Sequence, residues 1–172
     1  MCQYFNNCNI PYCIIGGVAV LFQGRFRTTE DIDFVIFHEN LSIPGFTNFC
    51  KINGLSVGSY DLQEGVKDGS QITIMDFPNS IRVDLKIATS RWEKGVVKEA
   101  EAFKYDNITI MVAKPEFLIS NKLYKGGRVD LEDAYSVYYQ NEERISLELL
   151  KELVQILGVE EALDKFLAKK PE

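Results

Sequence analysis

The sequence predicts an α/β (α+β) fold, in which a mixed, twisted β-sheet is flanked by helices and followed by a helical C-terminal part. Short apolar runs of β character alternate with helical segments as far as residue 112. From Pro115 onward the apolar residues recur at helical spacing throughout. We therefore expect an α/β core over residues 1–112 and a helical part over residues 113–172 that packs on the core as one compact unit.

The first half of the core is predicted from its turn residues and apolar runs. Pro11 separates a short N-terminal helix from the first strand, and Gly16-Gly17 stands where that strand passes into the next helix. The segment 38–69 contains turn signals but predicts no clear element. The predicted elements are a helix over 1–9, a strand over 12–15, a helix over 17–23 and a strand over 31–37.

The second half of the chain contains clearer boundaries. Pro78-Asn79 stands between two strongly β-type runs, 71–77 and 80–87, which predicts a hairpin. Residues 88–104 mix helical and loop character, and 107–112 predicts the last strand. In the helical part, Pro115 suits a first helical position, Gly126-Gly127 a helix end, Ser146 an N-cap and Gly158 a C-terminal cap.

Composition places limits on function. The chain has 172 residues and a net charge of −6, which argues against a broad nucleic-acid-binding surface but allows a small basic pocket. The longest apolar stretch, 10–22, is too short to span a bilayer. A secretory signal has Lys or Arg before its apolar stretch, and here neither residue precedes it. Four cysteines without a C-x-x-C pair and a single histidine fit reduced thiols better than a zinc or disulfide framework. We expect a cytoplasmic protein with no membrane association.

Carboxylates on two strands are the strongest functional signal. Asp31 and Asp33 are alternate residues of one strand and therefore share a face. On the strand over 80–87, Asp84 lies between Arg82 and Lys86 on the face opposite the apolar residues. If the two strands are neighbours, three carboxylates converge, and cations must offset their repulsion. An exposed polar stripe is the alternative interpretation of each strand.

The order of the acidic residues separates classes of D-x-D protein. In haloacid-dehalogenase phosphatases and many glycosyltransferases, the carboxylates follow an apolar strand. Here Asp31 and Asp33 precede the apolar run 34–37 and lie at the beginning of the strand. That placement disfavours both classes.

Three short blocks carry a resemblance to a known superfamily. The blocks are, in order, Ile15-Gly16-Gly17, Asp31-Ile32-Asp33 and Val83-Asp84-Leu85. Their order resembles the pattern of the DNA polymerase β-like nucleotidyltransferases. Within that superfamily, the chain is most similar to the AbiEii-type branch. This branch includes toxin components of toxin–antitoxin and phage-defence systems. Its similarity rests on the blocks 16–20, 27–33, 115–122 and 128–133, scattered over residues 10–140.

The resemblance implies a nucleotidyltransferase-like fold and a metal-dependent, two-metal transferase. An NTP such as ATP would bind, its NMP would pass to an acceptor hydroxyl, and pyrophosphate would leave. Asp31, Asp33 and Asp84 would hold Mg²⁺ or Mn²⁺, and Asp84 would also accept the hydroxyl proton. Gly16 and Gly17 would let backbone N–H groups approach the triphosphate, although a tight strand-to-helix turn alone also explains the pair.

Other residues of the similar blocks have two interpretations each. Thr29 either contacts phosphate or shapes the entry to Asp31. Lys122 either neutralises charge on the β- and γ-phosphates or is a solvated lysine. Acceptor or charge contacts are expected for Arg27, Arg128, Asp130 and Asp133, although Arg27 also suits loop solvation and the two aspartates also suit the first turn of a helix.

The acceptor and the biological role stay open at this stage. The acceptor hydroxyl would belong to tRNA, to a protein or to a small molecule, and a toxin-like chain would have an antitoxin or another partner chain. The alternative is a catalytically inactive nucleotide-binding or regulatory module of the same fold. The presence of all three carboxylates favours the enzyme.

Overall fold

The computed structural model describes residues 1–168, apart from the side chain of Ser59. Contacts between residues group the chain into two compact units. The first unit comprises residues 1–18 and 28–113, and the second comprises residues 19–27 and, within the described chain, 114–168. The expected division into 1–112 and 113–172 stays a prediction.

The first unit is built on one mixed sheet of seven strands, in the order β3-β4-β5-β2-β1-β7-β6. Two of the neighbouring pairs are parallel, β2 with β5 and β1 with β7, and the other pairs are antiparallel. The mixed sheet confirms the predicted fold class. The strands are β1 (Tyr12–Ile15), β2 (Asp31–Ile36), β3 (Ser56–Val57), β4 (Ile72–Asp76), β5 (Ile81–Ile87), β6 (Glu101–Tyr105) and β7 (Ile108–Val112).

Helices precede, connect and follow the strands. None of the helices within residues 1–168 has the length and hydrophobicity that a membrane span requires. The helices are α1 (Cys2–Asn7), α2 (Gly16–Gln23), α3 (Ile43–Ile52), α4 (Ser59–Asp68), α5 (Arg91–Lys98), α6 (Pro115–Lys125), α7 (Arg128–Gln140), α8 (Leu147–Leu157) and α9 (Glu160–Ala168).

Burial along β2 changes halfway along the strand. Phe34, Val35 and Ile36 are all buried, so both faces of the C-terminal half of β2 are covered. Asp31 and Asp33 are only partly buried. The strand therefore leaves the core at its N-terminal end, where its acidic residues stand.

The hairpin of β4 and β5 is confirmed, and so are several helix ends. Pro115 begins α6, and Gly126 and Gly158 end α6 and α8 with φ values of 68°. The Ser146 side chain caps α8 by accepting a hydrogen bond from the Leu149 N–H at 3.2 Å.

Two segments and one residue differ from the sequence-based expectations. The segment 38–69 forms α3, β3 and α4, and the expected mixture of helix and loop over 88–104 also contains β6. Ile81 is 39% exposed although strand alternation assigns it to the core face, because it is the first residue of β5. Alternation predicts the face of a residue but not whether a neighbouring element covers it.

Glu93 closes the first turn of α5. Its carboxylate accepts hydrogen bonds from the Ser90 N–H at 2.8 Å and the Thr89 N–H at 3.0 Å, and it contacts the Lys86 ammonium at 2.8 Å. Burial alone would raise the pKa of Glu93, but the Lys86 ammonium and these N–H donors outweigh it and lower the pKa to about 2. The capping box is therefore a charged interaction that acid can remove.

We expect Glu93→Gln to lower the free energy of unfolding by about 2 kcal/mol at about pH 7. The pKa of Glu93 falls from 4.5 to about 2 on folding. The stabilisation is therefore fully present above pH 4.5 and is lost as the pH falls from 4.5 to about 2. Urea unfolding of both proteins at a series of pH values measures the effect. Glu142→Gln, at an exposed glutamate, is the control. A stability difference that stays constant as the pH falls would contradict the assignment.

Candidate functional site

The parallel pairing of β2 with β5 brings three carboxylates together. Asp33 lies opposite Asp84, and Asp31 lies opposite Arg82. One carboxylate oxygen from each of Asp31, Asp33 and Asp84 lies within 4.8 Å of the others. We call these three residues the carboxylate triad.

Asp84 is the buried member of the triad, with an exposed fraction of 6%. The Thr73 hydroxyl, on the neighbouring strand β4, donates to Asp84 Oδ1 at 3.0 Å. The Arg82 guanidinium contacts Asp84 Oδ2 through Nε, also at 3.0 Å. Both oxygens of this carboxylate therefore have a polar partner.

Asp31 has a matching pair of partners. The Thr29 hydroxyl donates to Oδ1 at 2.8 Å, and Arg82 Nη2 donates to Oδ2 at 2.7 Å. The Thr29 hydrogen bond is the main cause that lowers the pKa of Asp31, and Arg82 adds to it. Asp31 is therefore a carboxylate at neutral pH.

A glycine corner lies directly against the third carboxylate. Gly16 has a φ of +67°, a backbone conformation that favours glycine. A Cβ atom at Gly16 would stand 1.9 Å from Asp33 Oδ2. Gly17 continues the first turn of α2, so the start of this helix and one carboxylate of the triad occupy the same corner.

The donor set of the triad fits a hard divalent cation. It offers oxygen atoms only, which suit Mg²⁺ or Mn²⁺. Oxygens around one Mg²⁺ stand at most about 4.2 Å apart, twice a bond of about 2.1 Å. The triad oxygens, which lie within 4.8 Å of one another, are therefore close enough for side-chain rotation to bring them onto one cation. Repulsion among three clustered carboxylates favours such a cation.

A separate ionic cluster lies in the second unit. The carboxylate of Asp133 is fully buried and is shared by Lys122 at 2.9 Å, Arg27 at 2.6 Å and Arg25 at 3.1 Å. Lys122 also contacts Asp130 at 2.9 Å. These five residues are the Asp133 cluster. Burial alone would raise the pKa of Asp133, but Lys122 and Arg27 outweigh it and lower the pKa, so this carboxyl group stays ionised.

The Asp133 cluster contains most of the secondary residues predicted from sequence. Lys122 is 3% exposed and is held by two carboxylates, and Arg27 is held by Asp133. Arg128 is exposed and contacts Glu132 at 3.3 Å. Roles of these residues, and of Asp130, in phosphate or acceptor binding stay predictions. A phosphate contact of Thr29 also stays a prediction.

Sequence reasoning missed the contact of Thr73 with Asp84 and the bridge from Arg82 to Asp31. Thr73 reaches Asp84 only because β4 and β5 pair with these two residues opposite each other, and no local signal sets that register. Arg82 bridges Asp31 and Asp84. The sequence does carry a signal for its contact with Asp84, because Arg82 and Asp84 are alternate residues of one strand.

Comparisons with known proteins identify the fold. No family model and no curated protein sequence matches the chain. Among solved structures, an antigenic nucleotidyltransferase-like protein from Paracoccidioides brasiliensis is similar, with 19% sequence identity and a TM-score of 0.54. The similarity covers 99% of this chain and 90% of that protein.

Two structures of the antibiotic-resistance factor ANT(2″)-Ia are also similar. One, in complex with adenylyl-2″-tobramycin, is 14% identical with a TM-score of 0.58, and the similarity covers 91% of each chain. The other, a solution structure, is 13% identical with a TM-score of 0.57, over 96% of this chain and 91% of that one. At these identities the comparisons establish a shared nucleotidyltransferase-like fold.

We expect Gly16→Ala to be more destabilising than alanine at another glycine of positive φ. Gly54 has a φ of +70° and nothing within 4 Å of an added Cβ, whereas the Cβ at Gly16 overlaps Asp33. Gly54→Ala should therefore cost only the backbone strain, about 1 kcal/mol, and Gly16→Ala about 2 kcal/mol more. Urea unfolding of the two variants measures the difference. Equal losses of stability would show that Gly16 is not in close contact with Asp33.

Proposed function

We propose that this chain is a metal-dependent nucleotidyltransferase that moves an NMP from an NTP, such as ATP, to an acceptor hydroxyl. The observation that carries the proposal is the carboxylate triad, whose oxygens lie within 4.8 Å of one another with Gly16 against Asp33. The shared fold with nucleotidyltransferase-like proteins supports it. So does the sequence order of glycine pair, D-x-D and third aspartate.

In this proposal the triad residues Asp31, Asp33 and Asp84 hold Mg²⁺ or Mn²⁺, in one or two sites. The cation offsets charge on the polyphosphate. Backbone N–H groups at the start of α2, beside Gly16 and Gly17, bind phosphate oxygens. The acceptor oxygen forms a bond to the α-phosphorus, the bond from that phosphorus to the pyrophosphate oxygen breaks, and Asp84 accepts the hydroxyl proton.

The residues of the second unit have a supporting role in the proposal. Lys122 would neutralise polyphosphate charge, for which its ammonium would exchange the partly exposed Asp130 for phosphate oxygens and keep its contact with Asp133. Arg27 and Arg128 would supply further charge contacts to donor or acceptor. These assignments depend on the resemblance of the blocks 27–33, 115–122 and 128–133 to the AbiEii-type branch.

Charge favours a small molecule or a protein as the acceptor over tRNA. The chain carries a net charge of −6, and Arg25, Arg27 and Lys122 all contact carboxylates rather than forming an unpaired basic face. One of the similar ANT(2″)-Ia structures contains an adenylylated aminoglycoside, tobramycin. We therefore place hydroxylated small molecules first among the acceptors to be tested.

A toxin-like role is a second candidate, favoured by the sequence block 27–33 and its similarity to the AbiEii-type branch. In that case the acceptor would be tRNA or a protein hydroxyl, and an antitoxin would be a separate chain. Growth arrest on expression, relieved by the product of a neighbouring gene, is the expected observation.

The transfer reaction can be tested with each labelled NTP, Mg²⁺ or Mn²⁺, and separate pools of aminoglycosides, tRNA and proteins. We expect label transfer together with pyrophosphate release. Asp31→Ala and Asp84→Ala should each reduce the rate by about a thousandfold or more, because each removes a cation ligand. Asp164→Ala, at an exposed aspartate of α9, should leave the rate unchanged.

The inactive-module alternative predicts a different outcome of the same experiment. An NTP would raise the melting temperature, but no label would pass to any acceptor pool. Transfer that survives Asp31→Ala and Asp84→Ala would contradict the proposed site.

A further inference from the structure

The Arg82 guanidinium bridges two of the three triad carboxylates. It contacts Asp31 Oδ2 at 2.7 Å and Asp84 Oδ2 at 3.0 Å. The opposite oxygen of each carboxylate is held by a threonine hydroxyl, Thr29 on Asp31 and Thr73 on Asp84. The two carboxylates therefore have the same arrangement, with Oδ1 fixed by a neutral donor and Oδ2 facing a cation.

The guanidinium and a divalent cation compete for the same lone pairs. A cation shared by the triad needs an oxygen from each carboxylate at about 2.1 Å, and the two Oδ2 atoms are the ones without a threonine donor. While Arg82 donates to both Oδ2 atoms, its positive charge also repels an approaching cation.

Arg82 is placed so that it can leave. Its side chain is 50% exposed, so water can solvate the released guanidinium, and the arriving cation replaces its charge beside the buried carboxylate of Asp84. Because the Thr29 and Thr73 hydroxyls stay in contact with Oδ1, both carboxylates keep their orientation when Arg82 departs.

We propose that Arg82 is a positioning residue that takes the place of the divalent cation in the metal-free protein and must release Asp31 and Asp84 before the cation binds. This inference rests on the proposed function. The four side chains together carry a formal charge of −2, and release of Arg82 presents the charge of −3 on the three carboxylates to the divalent cation. Once released, the guanidinium is available to the polyphosphate that arrives with the cation.

Arg82→Met, which keeps most of the stem and removes the charge, tests the inference. Mn²⁺ binding is measured by calorimetry, and the melting temperature is measured in excess chelator. We expect Arg82→Met to bind Mn²⁺ about fivefold more tightly than the wild type, because a competitor is gone. We also expect its metal-free melting temperature to fall by about 2 °C, because the triad repulsion is no longer offset.

Lys86→Met is the matched control. Lys86 lies four residues beyond Arg82 on the same face of β5 and pairs with Glu93 at 2.8 Å. Its removal therefore takes away the same charge without touching the triad contacts. Its Mn²⁺ affinity should stay within about twofold of the wild type, because only a solvent-screened charge is lost.

The outcomes separate the inference from the proposed function. Equal or weaker Mn²⁺ binding by Arg82→Met, with binding by the wild type intact, overturns the role of Arg82 and leaves the transferase proposal standing. An equal gain in affinity in Lys86→Met assigns the effect to general charge and also overturns it. Absence of Mn²⁺ binding in all three proteins overturns both proposals.

Discussion

The mutual repulsion of three carboxylates is the constraint on which the site depends. The register of β2 against β5 sets Asp33 directly opposite Asp84, and alternation brings Asp31 to the same face. A sheet that needed only stability would not collect three negative charges within 4.8 Å at the end of a buried strand. Arg82 and two threonine hydroxyls offset part of this cost, but the excess of negative charge remains. In the proposed function, that excess would attract a divalent cation and, through the cation, polyphosphate.

The two units use charge in opposite ways. In the second unit, Asp133 is fully buried but is surrounded by Lys122, Arg25 and Arg27, so positive charge compensates the buried carboxylate. Such a cluster holds chain segments together, and removal of one partner would leave a buried charge uncompensated. In the first unit the half-exposed Arg82 contacts two of the three triad carboxylates, Asp31 and Asp84. The Asp133 cluster of the second unit is suited to a structural role, and the carboxylate triad of the first unit is suited to exchange of a cation.

The sequence predicted the fold class and the face of each acidic residue, because alternation along a strand is a local property. It also placed the hairpin of β4 and β5 and the ends of α6 and α8, where proline, glycine and serine act locally. It did not predict α3 and α4, since 38–69 is rich in turn residues. The partners of Asp84 and Asp133 depend on register and on helix packing, which join residues far apart in the chain. The contact of Thr73 with Asp84 is therefore known only from the structure.

The most direct test of the central claim is anomalous diffraction from crystals grown with Mn²⁺ and a non-hydrolysable NTP. We expect a manganese peak coordinated by oxygens of Asp31, Asp33 and Asp84, with the polyphosphate at the start of α2 beside Gly16. Arg82 should no longer contact both Asp31 and Asp84. A triad without manganese, still bridged by Arg82 at saturating Mn²⁺ and nucleotide, would contradict the account.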